Sequence, residues 1–210
     1  KQQRRITRTS LPHRHHIVIE HYFDPKNRSD SKQVIIHTLW GGRVNKPFGM
    51  LLASLWRVKY GYELKVFADN DAILFMLPHS FSENDILDPI FSREIEPENF
   101  GTHLKNNLEN TGFFGANFRE NAGRALLLPS RGFRHRNPLW LTRLRTKKLL
   151  QAVSKYNDFP ILLETWRTCL QDQFDLDSLT AVIEELLAGN IKISETETKM
   201  PSPFCGNIIW

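Results

Sequence analysis

Apolar positions along this chain change their period several times, and each change marks an element. "HIVIEHYF", His16 to Phe23, alternates and is β-branched, which predicts a strand ending at Asp24-Pro25. The polar loop "PKNRSDSK" separates it from a second strand over Gln33 to Leu39. The spacing then lengthens: Leu51, Leu52, Leu55, Trp56 and Tyr60 fall on one helical stripe, with Asn45 placed to cap, Pro47 in the first turn and Gly61 as the stop. "ELKVFADNDAILFMLP" returns to strand spacing on either side of Asp69-Asn70-Asp71, whose residue types suit a hairpin turn.

Beyond about residue 80 the period is helical. "EPENFGTHLKNNLENTG" carries it, and so does the next segment through Phe114, Phe118, Ala122, Ala125 and Leu126. Asn137-Pro138 opens a further helix, and Asp158 caps another in which Leu162, Trp166, Cys169 and Leu170 face inward. Leu179, Val182, Ile183, Leu186 and Leu187 form the last stripe, closed by Gly189-Asn190, before the late strand "IKISETET". The outline is α+β. A basic leader over 1–16 precedes a β-rich part over 17–80 that a partly closed barrel would accommodate; a helical part over 81–191 and a C-terminal strand segment over 192–210 follow. No repeat, heptad array or low-complexity tract interrupts this order, and the start without Met and the ending "FCGNIIW" fit a piece of a longer protein.

Charge sharpens the picture. The 210 residues sum to +5, yet residues 1–19 carry +5 and residues 121–157 carry +9, which leaves the rest at −9. "PSRGFRHRNPLWLTRLRTKK", Pro129 to Lys148, holds seven Lys or Arg, one His and no acid. A cationic surface on an otherwise acidic body is the footprint of a polyanion binder. On a helix, Arg143, Lys147, Gln151 and Lys155 form one ridge with Lys148 beside it, while Leu149, Leu150, Val153 and Tyr156 take the other side. Arg131, Arg134 and Arg136 precede it in a loop with Phe133 and His135, and Arg145 adds a further cation. Trp140 is either a platform for stacking bases, which suits a single strand, or a core residue. "WGGRVNKP" is a second candidate: Gly41-Gly42 before a helix leaves amides for a phosphate, with Arg43 and Lys46 beside them, or simply makes a tight turn.

Other chemistry is thinly supported. GxxxxGK[ST] is absent, so this segment carries no nucleotide P-loop. His13, His15, His21 and His37 lack thiolates and a carboxylate pair of obvious geometry, so no metal site is assigned. Asp69 and Asp71 would suit a metal-dependent nuclease, but turn chemistry accounts for them more simply. Glu195 and Glu197 lack an acid-base partner, and no Ser or Cys stands in a nucleophile elbow, so no catalytic residue is assigned. Two cysteines are too few for a disulfide framework. No apolar run is long enough to span a membrane and no secretory signal opens the chain, which reads as cytoplasmic.

The blocks "IIHTLWGGRVNKPFGMLLA", "FADNDAILFMLP", "NFRENAGRALLLP", "NPLWLTRLRTKKLLQAVSKYNDFPILLETWRTCLQDQFDLDSL" and "ETKMPSPF" resemble, in order, the DEAD/H-associated region of the Lhr (large helicase-related) ATP-dependent helicases. The resemblance runs from about Ile17 to Phe204. It departs at Asp71-Ala72, where many relatives have a glycine. It implies superfamily 2 enzymes that translocate 3′ to 5′ on single-stranded DNA and unwind DNA or RNA:DNA hybrids. It also implies that ATP and Mg²⁺ bind in upstream motor domains, so this segment needs no cofactor. A winged helix would lie between the motors and this region, which would help it enclose the tracking strand. The rivals are a domain docking on the motor domains or an acidic partner, and the nuclease.

Overall fold

In the computed structural model the described residues are 1–22, 31–78, 86–92, 99–109, 111–128 and 138–209. The elements in chain order are α1 (Gln2–Thr7), β1 (His16–Tyr22), β2 (Ser31–His37), α2 (Gly42–Tyr60), β3 (Lys65–Ala68), β4 (Ala72–Pro78), α3 (Asp88–Phe91), α4 (Phe100–Leu108), α5 (Gly112–Arg124), α6 (Leu139–Val153), α7 (Pro160–Arg167), a π-helical turn (Thr168–Gln173), α8 (Leu176–Leu187), β5 (Lys192–Thr198) and a 3₁₀ turn (Pro203–Cys205). The fold is α+β, and it divides into two compact units: Lys1–Leu104 with Phe174–Trp210, and Lys105–Gln173.

The first unit is built on a five-stranded sheet in the order β3-β4-β2-β1-β5, antiparallel except for the β1–β5 pair. Its order begins at β3 and ends at β5, so among the described residues it is an open sheet and not the barrel the strand count allowed. Pleating sorts its side chains onto two faces. Ile19, Ile36, Ile73 and Val66 fall on one, where α2 packs so closely that a Cβ on Gly49 would come within 2.9 Å of Val66. Glu20, Ile35, His37, Ala72 and Leu74 fall on the other, where Cys205, Ile208 and Ile209 cover them. Leu51, Leu52, Leu55 and Trp56 of α2 are buried as the stripe predicts, Tyr60 only partly, and Phe48 joins them; truncating one such leucine to Ala costs about 2–5 kcal/mol.

The second unit is helical. Phe114, Phe118 and Ala122 of α5 are buried, and the Phe114 ring lies 4.3 Å from that of Trp166 on α7. The Asn121 amide donates to the hydroxyls of Thr165 and Thr168, which fixes the register of α5 against α7 and the π-helical turn. Such a pairing satisfies polar groups that would otherwise cost free energy when buried.

Three sequence expectations shift by a turn or less. The N-cap of α2 is Gly41; Asn45 is instead buried, donating to the carbonyls of Asp69 and Asn70 and accepting from the Thr38 hydroxyl. Asp158 does not cap α7, whose N-cap is Phe159 with no side-chain bond. Ala125 and Leu126 leave the α5 stripe because the helix ends at Arg124 and Leu126 takes a left-handed φ of 58°, leaving its side chain 80% exposed.

Candidate nucleic-acid interface

α6 is capped at its N-terminus by Pro138 and runs on with no acidic residue. Its buried positions are Thr146 and Val153 alone, with Leu149 and Leu150 half-buried. Tyr156, read on the side opposite the basic ridge, is 54% exposed and lies beyond the helix end. Arg143, Arg145, Lys147 and Lys148 are all exposed. None of the four meets a carboxylate among the described residues, although the chain neutralises cations elsewhere: Arg14 with Glu185 at 2.7 Å, Arg124 with Glu120 at 3.1 Å, Arg167 with Glu164 and Asp172. Like charges repel along a helix, so an uncompensated set gains from an external anion.

The four cations do not share one face. Arg143 and Lys147 line a groove of about 770 Å³ between α5 and α6, together with Gly112, Gly115, Arg119 and Gln151. Arg145 and Lys148 are not among its lining residues; at 100° per residue they stand about 140–160° around the helix from Arg143. Arg119, in the block "NFRENAGRALLLP", lines the same groove and was not among the candidate contacts, because its place there depends on α5 packing beside α6.

Trp140 is 66% exposed, beside Leu139 at 66%, which removes it from the core. The exposed indole stands one to two turns from Arg143 and Lys147 on the same helix. Arg131, Arg134 and Arg136, with Phe133 and His135, lie outside the described residues.

The Gly41-Gly42 turn is built for backbone closure. Gly41 has φ 88°, and a Cβ on Gly42 would meet Asn70 Oδ1 at 2.7 Å. The amides of Gly41 and Gly42 do not point outward as expected: they donate to the Asn70 carbonyl and side-chain oxygen at 3.1 and 3.0 Å. Arg43 reaches the Phe174 carbonyl at 3.3 Å, whereas Lys46 is exposed. A shallow groove beside the turn is lined by Arg14, Trp40, Arg43 and Asp175 among others.

The histidines separate. His15 lies 3.4 Å from Glu185, the His13 ring is tilted against that of His16, and His37 is buried against Glu20. Among the described residues one cluster of ligand-type side chains forms, Glu20, His37 and Cys205, and its members are already bonded to one another, to Ser202 or to Thr198. The Cys205 thiol is pushed up to about 11 by burial, then by the Glu20 charge, so it stays protonated. Asp69 Oδ1 accepts from the amides of Asp71 and Ala72, the work of a turn former.

The profile of the DEAD/H-associated family matches residues 11–205. The chain belongs to that family. It is 34% identical over 200 residues to the Lhr helicase/uracil glycosylase of Escherichia coli, covering 95% of this chain and 13% of the relative. It is 29% identical over 200 residues to the ATP-dependent helicase Lhr-Core of Methanothermobacter thermautotrophicus, 95% of this chain and 22% of that protein. Among solved structures it resembles the Mycobacterium smegmatis helicase Lhr bound to ssDNA and AMP-PNP, with a TM-score of 0.84, 32% identity, and coverage of 100% of this chain and 26% of the other. The DEAD/H-associated chain thus spans between 13% and 26% of these relatives. No described helix is long and apolar enough to cross a membrane.

Proposed function

We propose that this DEAD/H-associated chain is a nucleic-acid-binding accessory region of an Lhr-type ATP-dependent helicase and helps to hold the tracking strand, single-stranded DNA or the strand of an RNA:DNA hybrid. The observation that carries this is the set of exposed α6 cations without a carboxylate partner. The relative from Mycobacterium smegmatis was solved with ssDNA, which supports the same class of partner. In this reading ATP and Mg²⁺ act in motor domains outside these residues, and the chain supplies charge and surface. Contacts to phosphates give affinity without reading sequence, as an enzyme that moves along a strand requires. Trp140 adds a stacking surface, and Lys46 is a lesser candidate cation.

Docking on the motor domains or another protein is the second reading, favoured by the exposed Leu126, Leu139 and Leu144. Binding of a labelled oligothymidylate by the wild type and by Arg143→Glu/Lys147→Glu separates the two. Tight, salt-sensitive binding that the reversal abolishes supports the strand; heparin bound as tightly as the oligonucleotide, or a double variant that still binds, supports docking.

A further inference from the structure

The α5–α6 groove is a narrower proposal than a basic helix, and it rests on the nucleic-acid reading above. The geometry points to this groove as a binding site for the phosphodiester backbone of a single strand, with Arg119, Arg143 and Lys147 as its cations and Gly115 as its floor.

Three features converge on an extended anion. Arg119 comes from α5 and Arg143 and Lys147 from α6, so cations stand on both walls. None of the three meets a carboxylate among the described residues. The trough extends along α5 from Thr111 to Arg119, about 12 Å at 1.5 Å per residue, which is longer than a lone phosphate needs. The floor is held low at some expense to the helix, since glycine within a helix is unfavourable and the protein has no packing reason for it here: a Cβ on Gly115 would touch nothing within 4 Å. Ala116 keeps the next position small. The Thr146 and Ser154 hydroxyls are spent on the carbonyls of Thr142 and Leu150, which leaves the cations and the Gln151 amide as the groups facing a ligand. Glu109 also lines the groove, and its carboxylate disfavours an anion beside it, which biases the strand toward the cationic stretch.

Arg145 and Lys148 provide an internal comparison, being equal in charge, on the same helix and off the groove. Anisotropy of a labelled oligothymidylate would be followed for the 210-residue chain, for Arg143→Gln/Lys147→Gln, for Arg145→Gln/Lys148→Gln and for Gly115→Leu, with thermal melting as the control for folding. Gly115→Leu adds bulk to the groove without altering charge, and its Cβ meets nothing within 4 Å. The groove pair and Gly115→Leu should each weaken binding about tenfold or more, and the groove pair should flatten the slope of log K against log salt by about 1.4, or 0.7 for each lost phosphate. The outer pair should cost about twofold, the long-range part of its charge. Equal losses from the two pairs, or unimpaired binding by a folded Gly115→Leu protein, would overturn the groove and leave strand binding standing. Wild-type protein that does not bind the oligonucleotide would overturn both readings, and polyglutamate bound through the groove more tightly than the oligonucleotide would replace the strand with an acidic peptide.

Discussion

Glu20 and His37 face each other across the β1–β2 pair, Oε2 to Nε2 at 2.8 Å, and neither side chain reaches solvent. Around them, Thr198 and the Ser202 amide donate to Glu20 Oε1, the Ser202 hydroxyl bonds Oε2, and Gln3 of α1 donates to Ser202 Oγ. One buried carboxylate therefore ties the leader helix, three strands and the C-terminal segment together. The residues involved are 199 positions apart at the extreme, so the knot joins the two ends of the chain to the sheet.

Burial alone raises the Glu20 pKa, but hydrogen bonds from His37, Ser202 and Thr198, with the charge of His37, outweigh it and hold the carboxyl below its ordinary range. A depressed folded-state value means stability that is complete above the unfolded carboxylate pKa, about 4.3, and is lost as pH falls through the folded value. Glu20→Ala should cost about 3–5 kcal/mol at pH 7, since it strands a buried partner. Urea unfolding from pH 7 down to pH 3 should show the gap between wild type and variant closing below about pH 4.3. A gap that stays constant would show that Glu20 is not ionised in the fold.

The Gly41-Gly42 turn should respond to alanine at both positions for different reasons. Gly41→Ala has room for a methyl group but holds φ at 88°, a strain of about 1–2 kcal/mol. Gly42→Ala drives a Cβ into Asn70, so the same change in an Asn70→Ala background should cost less. A double-variant cycle read by thermal unfolding checks this, and additive losses would show that the clash relaxes without help from Asn70.

Trp140→Ala should leave stability within about 0.5 kcal/mol, because the ring is largely in solvent. It should weaken oligonucleotide binding about fivefold to a hundredfold if one base stacks on the indole, at about 1–3 kcal/mol per base. Fluorescence of the indole on addition of strand provides a second readout, and an unchanged affinity would assign Trp140 to protein contact.

The sequence exposed periods and charge more fully than it exposed neighbours. The α2 stripe, the hairpin at Asp69 to Asp71 and the left-handed stops at Gly61 and Gly189 follow from local chemistry, and the structure has them where the residues say. The pairing of β5 with β1 is a contact between residues 16–22 and 192–198, and no local pattern carries it. For the same reason Arg119 did not stand out as a groove residue: its place there depends on which helix packs beside α5. The division of the α6 cations was hidden differently. All four are legible as basic and helical, but which pair lines a groove depends on where the neighbouring helix lies. Glu20 reads as one acid in an alternating strand, and only the fold brings it to His37 and Ser202.

If the α6 cations hold a sugar-phosphate strand, binding must weaken as salt rises. Affinity for an oligothymidylate measured between about 50 and 200 mM salt should fall along a line whose slope is about −0.7 for each phosphate engaged, near −4 if six are held. A salt-independent affinity, or no binding at the lowest salt, would contradict it.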